Sequence, residues 1–418
     1  MKCGLLGEKL GHSFSREIHE KLGRYSYELI EVAPDALDAF LTRREFDGLN
    51  VTIPYKQAVI PYLDEISGRA ARIGAVNTVV NRGGKLYGDN TDFGGLTALI
   101  GRMGLTLAGK TVLICGTGGT SRTALAAAEA LGAGRVVRLS RSGREGAATY
   151  EEARARFADA DVLINTTPVG MYPNVNGTPV DPAWFPGLTG VVDVVYNPLT
   201  TRLVRLARAR GVAAGNGLYM LVAQAVLAAE AFTGERFGAE TMERIYGELL
   251  FGKRSIVLTG MPGSGKSTLG RLLASRLGRT LTDTDERIVA RAGMPISEIF
   301  QSRGEAYFRD LEAQAVADAC QTPGAVIATG GGAVLRAENV DAMKQNGVVV
   351  FLDRPLEGLL PTDDRPLADD KEKLRRLYAE RLPVYRAAAD VTVSVHGTPE
   401  ETADDILNRL RAMGREQA

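Results

Sequence analysis

Cysteine, histidine and tryptophan are scarce: the 418 residues hold three, three and one of them. Cys3, Cys115 and Cys320 lie in apolar or helical settings with no paired spacing, which excludes a disulfide framework and a cysteine-based zinc site and makes a reducing cytoplasm the expected location. An excess of charge of one sign is also missing. Fifty Lys and Arg balance fifty Asp and Glu, so no nucleic-acid partner is expected and small anions are the fitting ligands. Long hydrophobic runs are absent too. The greasiest stretch, Leu218 to Phe232, is too short and interrupted to span a bilayer and reads as a buried helix, and the N-terminal Met-Lys-Cys-Gly-Leu-Leu-Gly lacks a signal peptide's apolar core. No membrane association is expected. The one charge-rich run, Asp363 to Arg376, mixes both signs, and no internal repeat is present.

Glycine is plentiful, and it clusters in two turns of different design. Gly116-Thr117-Gly118-Gly119-Thr120-Ser121-Arg122 follows the apolar run Lys110 to Cys115, and Gly260-Met261-Pro262-Gly263-Ser264-Gly265-Lys266-Ser267-Thr268 follows Ser255 to Thr259. Each opens a helical pattern and so presents backbone N–H groups and a helix N-terminus to phosphate. The first design suits a dinucleotide and the second a triphosphate, which implies two chemistries in one polypeptide. At roughly 150 residues per domain the length allows about three compact units.

Before the first turn, short apolar runs alternate with helix-like patterns, an α/β signature. Asn50 to Ile53 reads as a strand, and Pro54 suits the first turn of a following helix, which places Lys56 inside that turn. There the helix dipole and partial burial both disfavour the ammonium charge, a setting suited to proton exchange; a solvated surface lysine is the plain alternative. Gly74 to Val80 and Lys85 to Gly88 read as a hairpin closed by Gly83-Gly84 and leading into Asp89-Asn90-Thr91-Asp92. Asp92 fits either an ordinary helix N-cap or a catalytic carboxylate.

Thr117, Gly118, Gly119 and Thr120 are the expected dinucleotide contacts together with Gly116. After the next strand, Arg135 to Leu139, comes Ser140-Arg141-Ser142-Gly143-Arg144, at the place where an acid would grip an NAD ribose. Ser140 and the guanidiniums of Arg141 and Arg144 suit a 2′-phosphate instead, so NADP(H) is the expected cofactor. In the second turn Gly263, Ser264 and Gly265 cradle phosphates and Lys266 reaches the terminal ones. Ser267 ligates magnesium and Thr268 closes the site, so ATP and Mg2+ are expected. Asp283 and Asp285 alternate at a strand end and so face one way, Asp283 toward the magnesium shell and Asp285 toward an acceptor hydroxyl; a capped helix start at Glu286 is the alternative.

Taken together, His12-Ser13-Phe14-Ser15, Asn50 to Lys56, Gly74 to Thr78, Asn90 to Asp92 and Gly217 to Gln224 resemble the motif set of shikimate dehydrogenases over residues 1 to about 248. The resemblance implies that Ser13, Ser15, Thr52, Asn77, Asp92 and Gln224 hold the substrate while Lys56, paired with Asp92, handles the proton. It also puts Tyr196 on the substrate, the segments Asn165 to Met171 and Asp193 to Pro198 near the nicotinamide, and Gly217 among the cofactor contacts. Arg16 and Glu20 depart from the residues common in that family, with small effects expected. From about residue 253 to 418, the phosphate loop with Phe308-Arg309, Glu312, Gly330-Gly331-Gly332, Arg365-Pro366-Leu367, Arg381 and Tyr385-Arg386 resembles shikimate kinase. That resemblance implies that Asp285, Arg309, Gly331 and Arg381 bind shikimate and that Arg365 closes over the phosphates. Leu356 to Pro361 offers no arginine, and Gly397-Thr398 replaces a basic or amide residue, both departures on the adenine side.

The expected architecture is α/β throughout: a substrate lobe (1–97 with 217–248), a Rossmann NADP lobe (98–216), a linker (249–253) and a P-loop, NMP-kinase-like parallel-sheet domain (254–418). The expected activities are NADPH-dependent reduction of 3-dehydroshikimate to shikimate and ATP-dependent phosphorylation to shikimate 3-phosphate. Two alternatives stay open: a C-terminal module that senses nucleotide and shikimate without turnover, and quinate as the dehydrogenase substrate.

Overall fold

The computed structural model describes residues 1–11, 13–144, 146–359 and 371–416. These residues form three sheets. The first joins β1 (Lys2–Gly7), β2 (Ser26–Glu31), β3 (Gly48–Val51), β4 (Glu65–Ile66), β5 (Thr78–Arg82) and β6 (Lys85–Asp89) in the order β2-β1-β3-β5-β6-β4. Its first three strands are parallel, whereas β5 runs antiparallel to β3 and, through the turn Gly83-Gly84, to β6. The second joins β7 (Thr111–Cys115), β8 (Arg135–Leu139), β9 (Val162–Asn165), β10 (Gly190–Asp193) and β11 (Ala213–Gly215), all parallel, in the order β11-β10-β9-β7-β8. The third joins β12 (Ser255–Thr259), β13 (Leu281–Asp283), β14 (Val326–Ala328), β15 (Gly347–Asp353) and β16 (Val391–Ser394), again all parallel, in the order β13-β14-β12-β15-β16.

Central strands of a parallel sheet are covered on both faces and so read as unbroken apolar runs. β9, β10 and β12 are buried at every residue, whereas the edge strand β2 is buried only at Tyr27. The helix Leu218–Thr233 is apolar nearly all round and is buried along most of its length. It lies so close to the helix Thr91–Arg102 that a Cβ on Gly95 would stand 2.6 Å from the Met220 carbonyl oxygen. This approach brings the first turn of one helix, with Asp92, and the middle of the other, with Gln224, to the end of the first sheet.

Two compact units result: Met1–Asn197 with Thr201–Tyr246, and Pro198–Thr200 with Gly247–Ala418. Residues 249–253, expected as a linker, form the last turns of the helix Gly238–Lys253. The core of the second unit is built from Leu258 on β12, Val350 and Leu352 on β15, Val393 on β16, and Leu273 and Ile406 on the helices Lys266–Leu277 and Pro399–Glu416.

Candidate active sites

In the first unit, no helix begins at Pro54. The Ile53–Pro54 bond is cis, residues 53–59 form successive turns, and the short 3-10 helix Ile60–Tyr62 follows. The reason lies in the Lys56 carbonyl, which accepts the Val76 N–H at 2.7 Å and is therefore spent on a long-range bond rather than on a helical one. A helix dipole thus plays no part at Lys56. Its ammonium instead meets the Asp92 carboxylate, Nζ to Oδ2 2.5 Å, with side chains 15% and 10% exposed.

Asp92 is free for that pairing because another residue caps its helix. Asn90 Oδ1 accepts the Phe93 N–H at 3.1 Å, and Asn90 Nδ2 donates to the Ala75 carbonyl at 2.9 Å. Asn77 Oδ1 accepts the Thr91 N–H at 2.7 Å, while Asn77 Nδ2 reaches Gln224 Oε1 at 3.4 Å. Lys56, Asp92, Asn77 and Gln224 therefore share one linked end of the first sheet. Thr52 directly follows β3, and its N–H donates to the Leu6 carbonyl of β1. Ser13 and Ser15 bond each other, Oγ to Oγ 3.1 Å, and between them Phe14 packs its ring 5.3 Å from that of Tyr196.

The dinucleotide turn stands beside this cluster. Gly116 has φ +114°, and a Cβ there would meet Thr166 Oγ1 at 2.7 Å, so both conformation and space require glycine. Ser121, at the place of a third glycine, is buried and donates its hydroxyl to the Gly116 carbonyl at 2.6 Å, fastening the turn to the helix it opens. That helix spans Gly119–Ala130. A Cβ on Gly118 would meet nothing within 4 Å, whereas one on Gly119 would lie 4.0 Å from Lys56 Cδ. The lysine thus borders the turn. Thr117 and Thr120 are half-buried in it. Ser140 Oγ is buried with no hydrogen-bond partner among the described residues, and Arg141 and Arg144 project into solvent just beyond it.

Gly217 donates its N–H to the Val195 carbonyl, and a Cβ on it would fall 2.0 Å from the Val194 oxygen. Nearby, Asp193 accepts from Asn165 Nδ2 at 2.9 Å, the Val195 N–H at 3.0 Å and Thr201 Oγ1 at 2.7 Å. Burial pushes its carboxyl up to about 6 against the pull of those three donors.

In the second unit a cavity of about 570 Å³ is lined by the phosphate loop, Asp283, Asp285, Gly330 to Gly332 and Arg381. Gly260, Gly263 and Gly265 all have positive φ, which wraps the loop around the start of the helix Lys266–Leu277. Lys266 is buried and donates to the Gly260 and Met261 carbonyls at 2.8 and 2.9 Å. Ser264 Oγ is buried with no hydrogen-bond partner among the described residues, and Gly263, Ser267 and Thr268 line the cavity.

Asp283 and Asp285 do not alternate along a strand, because β13 ends at Asp283 and the helix Thr284–Ala292 begins at once. Asp283 caps that helix through the Asp285 N–H at 3.0 Å with one oxygen and accepts the Ser267 hydroxyl at 2.9 Å with the other. Capping and the link to Ser267 thus coexist in one side chain.

Arg309 lies between Glu312 at 2.7 Å and Glu305 at 2.9 Å, and these two carboxylates outweigh burial to raise its guanidinium further. Burial raises the Glu312 carboxyl while Arg309 draws it down. Arg381 Nη1 donates to the Gly331 carbonyl at 3.1 Å, and the Tyr385 hydroxyl donates to the same oxygen. The glycine run lets the loop pass close to charged groups: a Cβ on Gly330 would meet Asp285 Oδ1 at 2.6 Å, and one on Gly332 would meet Arg309 Nη1 at 1.9 Å. Arg365 lies outside the described residues.

Comparison with known proteins finds relatives for both parts of the chain. Residues 5–79 match the shikimate dehydrogenase substrate binding domain, and residues 262–411 match shikimate kinase. The chain is 37% identical over 263 residues to a shikimate dehydrogenase (NADP(+)) of Clostridium perfringens, covering 59% of this chain and 97% of that one. The chain belongs to the shikimate dehydrogenase family. Its C-terminal part is a shikimate kinase domain, so the polypeptide is a fusion of two enzymes. Among solved structures, the shikimate 5-dehydrogenase of Thermus thermophilus in complex with NADP(H) and shikimate is similar at a TM-score of 0.54 and 34% identity, over 59% of this chain and 99% of that one. A quinate dehydrogenase of Corynebacterium glutamicum in complex with NAD is similar at a TM-score of 0.53 and 31% identity, over 60% and 98%.

In the shikimate dehydrogenase part, sequence reasoning passed over Asp193 as an individual residue, and its signal was an acid closing an apolar strand. In the shikimate kinase part it passed over Phe300 and Arg354, both of which line the cavity. Phe300 packs on Phe308 at 4.7 Å and makes an apolar wall. Arg354, which directly follows β15, carries no motif that would mark it.

Proposed function

We propose that the chain reduces 3-dehydroshikimate to shikimate with NADPH and then phosphorylates shikimate at its 3-hydroxyl with ATP, two steps of aromatic amino acid and chorismate biosynthesis. The single observation that carries the reading is the presence of two polar sites: Lys56 with Asp92 against a dinucleotide turn, and a phosphate loop sharing one cavity with Asp285 and Arg381. The product of the first reaction is the acceptor of the second.

The residues fit the groups these reactions need. Ser140 Oγ, buried without a partner among the described residues, and the exposed Arg141 and Arg144 provide three donors where an NADP 2′-phosphate would sit. Ser264 Oγ stands similarly unspent in the phosphate loop. Among the described residues no group of three or more His, Cys, Asp or Glu is arranged for a metal, so Mg2+ would rest on the nucleotide's own phosphates with Ser267 and Asp283.

NADPH supplies a hydride to the ketone carbon, and ATP supplies the phosphoryl group. The chain's residues do the rest. Lys56 Nζ gives its proton to the oxygen that becomes the new hydroxyl, and Asp92 holds the ammonium in place and balances its charge. Ser13, Ser15, Thr52, Asn77, Tyr196 and Gln224 seat the substrate, with Gly217 close to the cofactor. In the kinase half Asp285 receives the proton of the acceptor hydroxyl, Arg309 and Arg381 grip the carboxylate, Gly331 contributes backbone, and Lys266 steadies the transferring charge. A cytoplasmic location belongs to the same reading, supported by three cysteines that are all buried and free. No helix among the described residues is long and apolar enough to cross a membrane.

ADP release measured with and without shikimate tests the second half. The reading requires release that depends on shikimate, whereas equal rates would favour a non-catalytic sensing module. Similarity to a quinate dehydrogenase favours a second reading for the first half, and oxidation rates of quinate and shikimate compared on one preparation decide it.

A further inference from the structure

Asp193 closes β10 and is fully buried, and the three hydrogen bonds that hold its carboxylate all come from neutral donors. A charge so placed is costly to bury, and the convergence of three donors makes the burial tolerable. Each donor belongs to a different segment. Asn165 Nδ2, at the end of β9, and the Val195 N–H, in the chain leaving β10, both meet Oδ1, while the Thr201 hydroxyl at the start of the helix Arg202–Ala209 meets Oδ2.

Two of these segments reach toward the two ligands. On the cofactor side, Asn165 Oδ1 accepts the Thr167 N–H at 3.0 Å and the Thr167 hydroxyl at 2.7 Å, which fixes the turn that follows β9. That turn abuts the glycine-rich one: Thr166 Oγ1 donates to the Cys115 carbonyl at 2.6 Å, and a Cβ on Gly116 would lie 2.7 Å from Thr166 Oγ1 and 3.3 Å from Thr167 Cγ2. On the substrate side, Tyr196 directly follows Val195, and its ring packs 5.3 Å from that of Phe14, the residue between Ser13 and Ser15. One carboxylate thus holds both walls.

Resting on the dehydrogenase reading above, we infer that Asp193 is a positioning residue for hydride transfer: it ties the turn beside the dinucleotide loop to the chain that carries Tyr196 and so sets how cofactor and substrate meet. A misplacement of about 1 Å at the reacting atoms costs about a hundredfold in rate, so the anchor is felt in the chemical step although the carboxylate is sealed beneath both walls.

Single turnovers of the full chain, premixed with NADPH and started with 3-dehydroshikimate, separate positioning from mere support: the amplitude counts molecules with a formed site, and the rate reports the hydride step. Slowing by NADPH doubly deuterated at C4 identifies that step. Asp193→Leu fills similar space without an acceptor, and its rate is expected to fall about ten- to hundredfold while the amplitude and the NADPH affinity, read from nicotinamide fluorescence, stay within about twofold. Asp193→Asn still offers Oδ1 to Asn165 and Val195 and is expected to restore the rate to within about fivefold of wild type. A wild-type rate in Asp193→Leu overturns the assignment, whether the amplitude is kept or lost, since a lost amplitude alone means support of the fold. Asp193→Asn as slow as Asp193→Leu also overturns it, because charge rather than anchoring would then matter. Where Asp193→Leu forms no active fraction, Asp193→Ser, smaller and with one hydroxyl for three donors, takes its place with the same outcomes. Failure of the wild-type chain to oxidise NADPH is a different result and rejects the reduction reading itself.

Discussion

Lys56→Met removes the ammonium but keeps the apolar stem that packs beside Gly119, so the substitution isolates the proton from the packing. A positioned general acid contributes about a hundred- to ten-thousandfold to a rate, equivalent to roughly 3–5 kcal/mol of barrier. With Nζ 2.5 Å from Asp92 and only 15% of the side chain exposed, bulk water reaches this point poorly as a substitute. Turnover in 3-dehydroshikimate reduction is accordingly expected to fall by two to four orders of magnitude, with a much smaller change in the KM for NADPH. Asp92→Asn leaves the ammonium without its counter-charge. Removing one partner of a fully buried pair costs about 3–5 kcal/mol, and the residual exposure of both groups here lowers that to roughly 1–3 kcal/mol. The assay follows NADPH absorbance at saturating substrate; a retained KM for NADPH shows that the first unit is folded, and shikimate-dependent ADP release from the same preparation shows that the second is. Retention of more than a tenth of wild-type turnover by Lys56→Met would refute the proton-donor assignment. Parallel loss of both activities would show that folding, not chemistry, had been disturbed.

Gly332→Ala places a methyl 1.9 Å from Arg309 Nη1, and moving that guanidinium strains its ion pair with the buried Glu312, so stability is expected to fall and the KM for shikimate to rise about tenfold or more while ADP affinity stays constant; an unchanged KM removes Arg309 from the acceptor site. Arg141→Ala combined with Arg144→Ala is expected to raise the KM for NADPH by one to two orders of magnitude and leave that for NADH alone, a pattern read by initial rates, and equal losses for both would contradict the 2′-phosphate assignment. Burial pushes the His19 imidazole down from 6.5 to about 3. Because the unfolded chain then takes up the proton first, this contribution to stability is complete above pH 6.5 and is lost as pH falls toward 3, amounting to about 2 kcal/mol at pH 5. His19→Phe keeps the stack on Tyr27, with centroids 3.8 Å apart, and should abolish that acid loss in hydrogen exchange of the β1 and β2 amides; an unaltered loss would place it elsewhere.

Much of the fold was legible because its signals are local. The Gly83-Gly84 hairpin, the buried run of β12 and both phosphate turns are each written within about ten residues, and each formed where expected. What local pattern could not show were consequences of distant bonds. Lys56 lost its helix to Val76, twenty residues away, and Asp92 escaped a capping role only because Asn90 took it. β13 stops at Asp283 because that residue's carboxylate caps the next helix, which turns an expected strand alternation into a cap and a cavity wall. Residues 249–253 carry no helix breaker strong enough to interrupt an established helix, so the expected linker stayed helical. Arg354 was invisible for a different reason: its place in the cavity follows from sheet order.

The most direct test of the central claim supplies the purified chain with 3-dehydroshikimate, NADPH, ATP and Mg2+ and follows NADPH absorbance and shikimate 3-phosphate together. NADPH is expected to fall and shikimate 3-phosphate to accumulate in step, with Lys56→Met stopping both signals and Asp285→Asn stopping only the second. Consumption of NADPH with shikimate left unphosphorylated would contradict it.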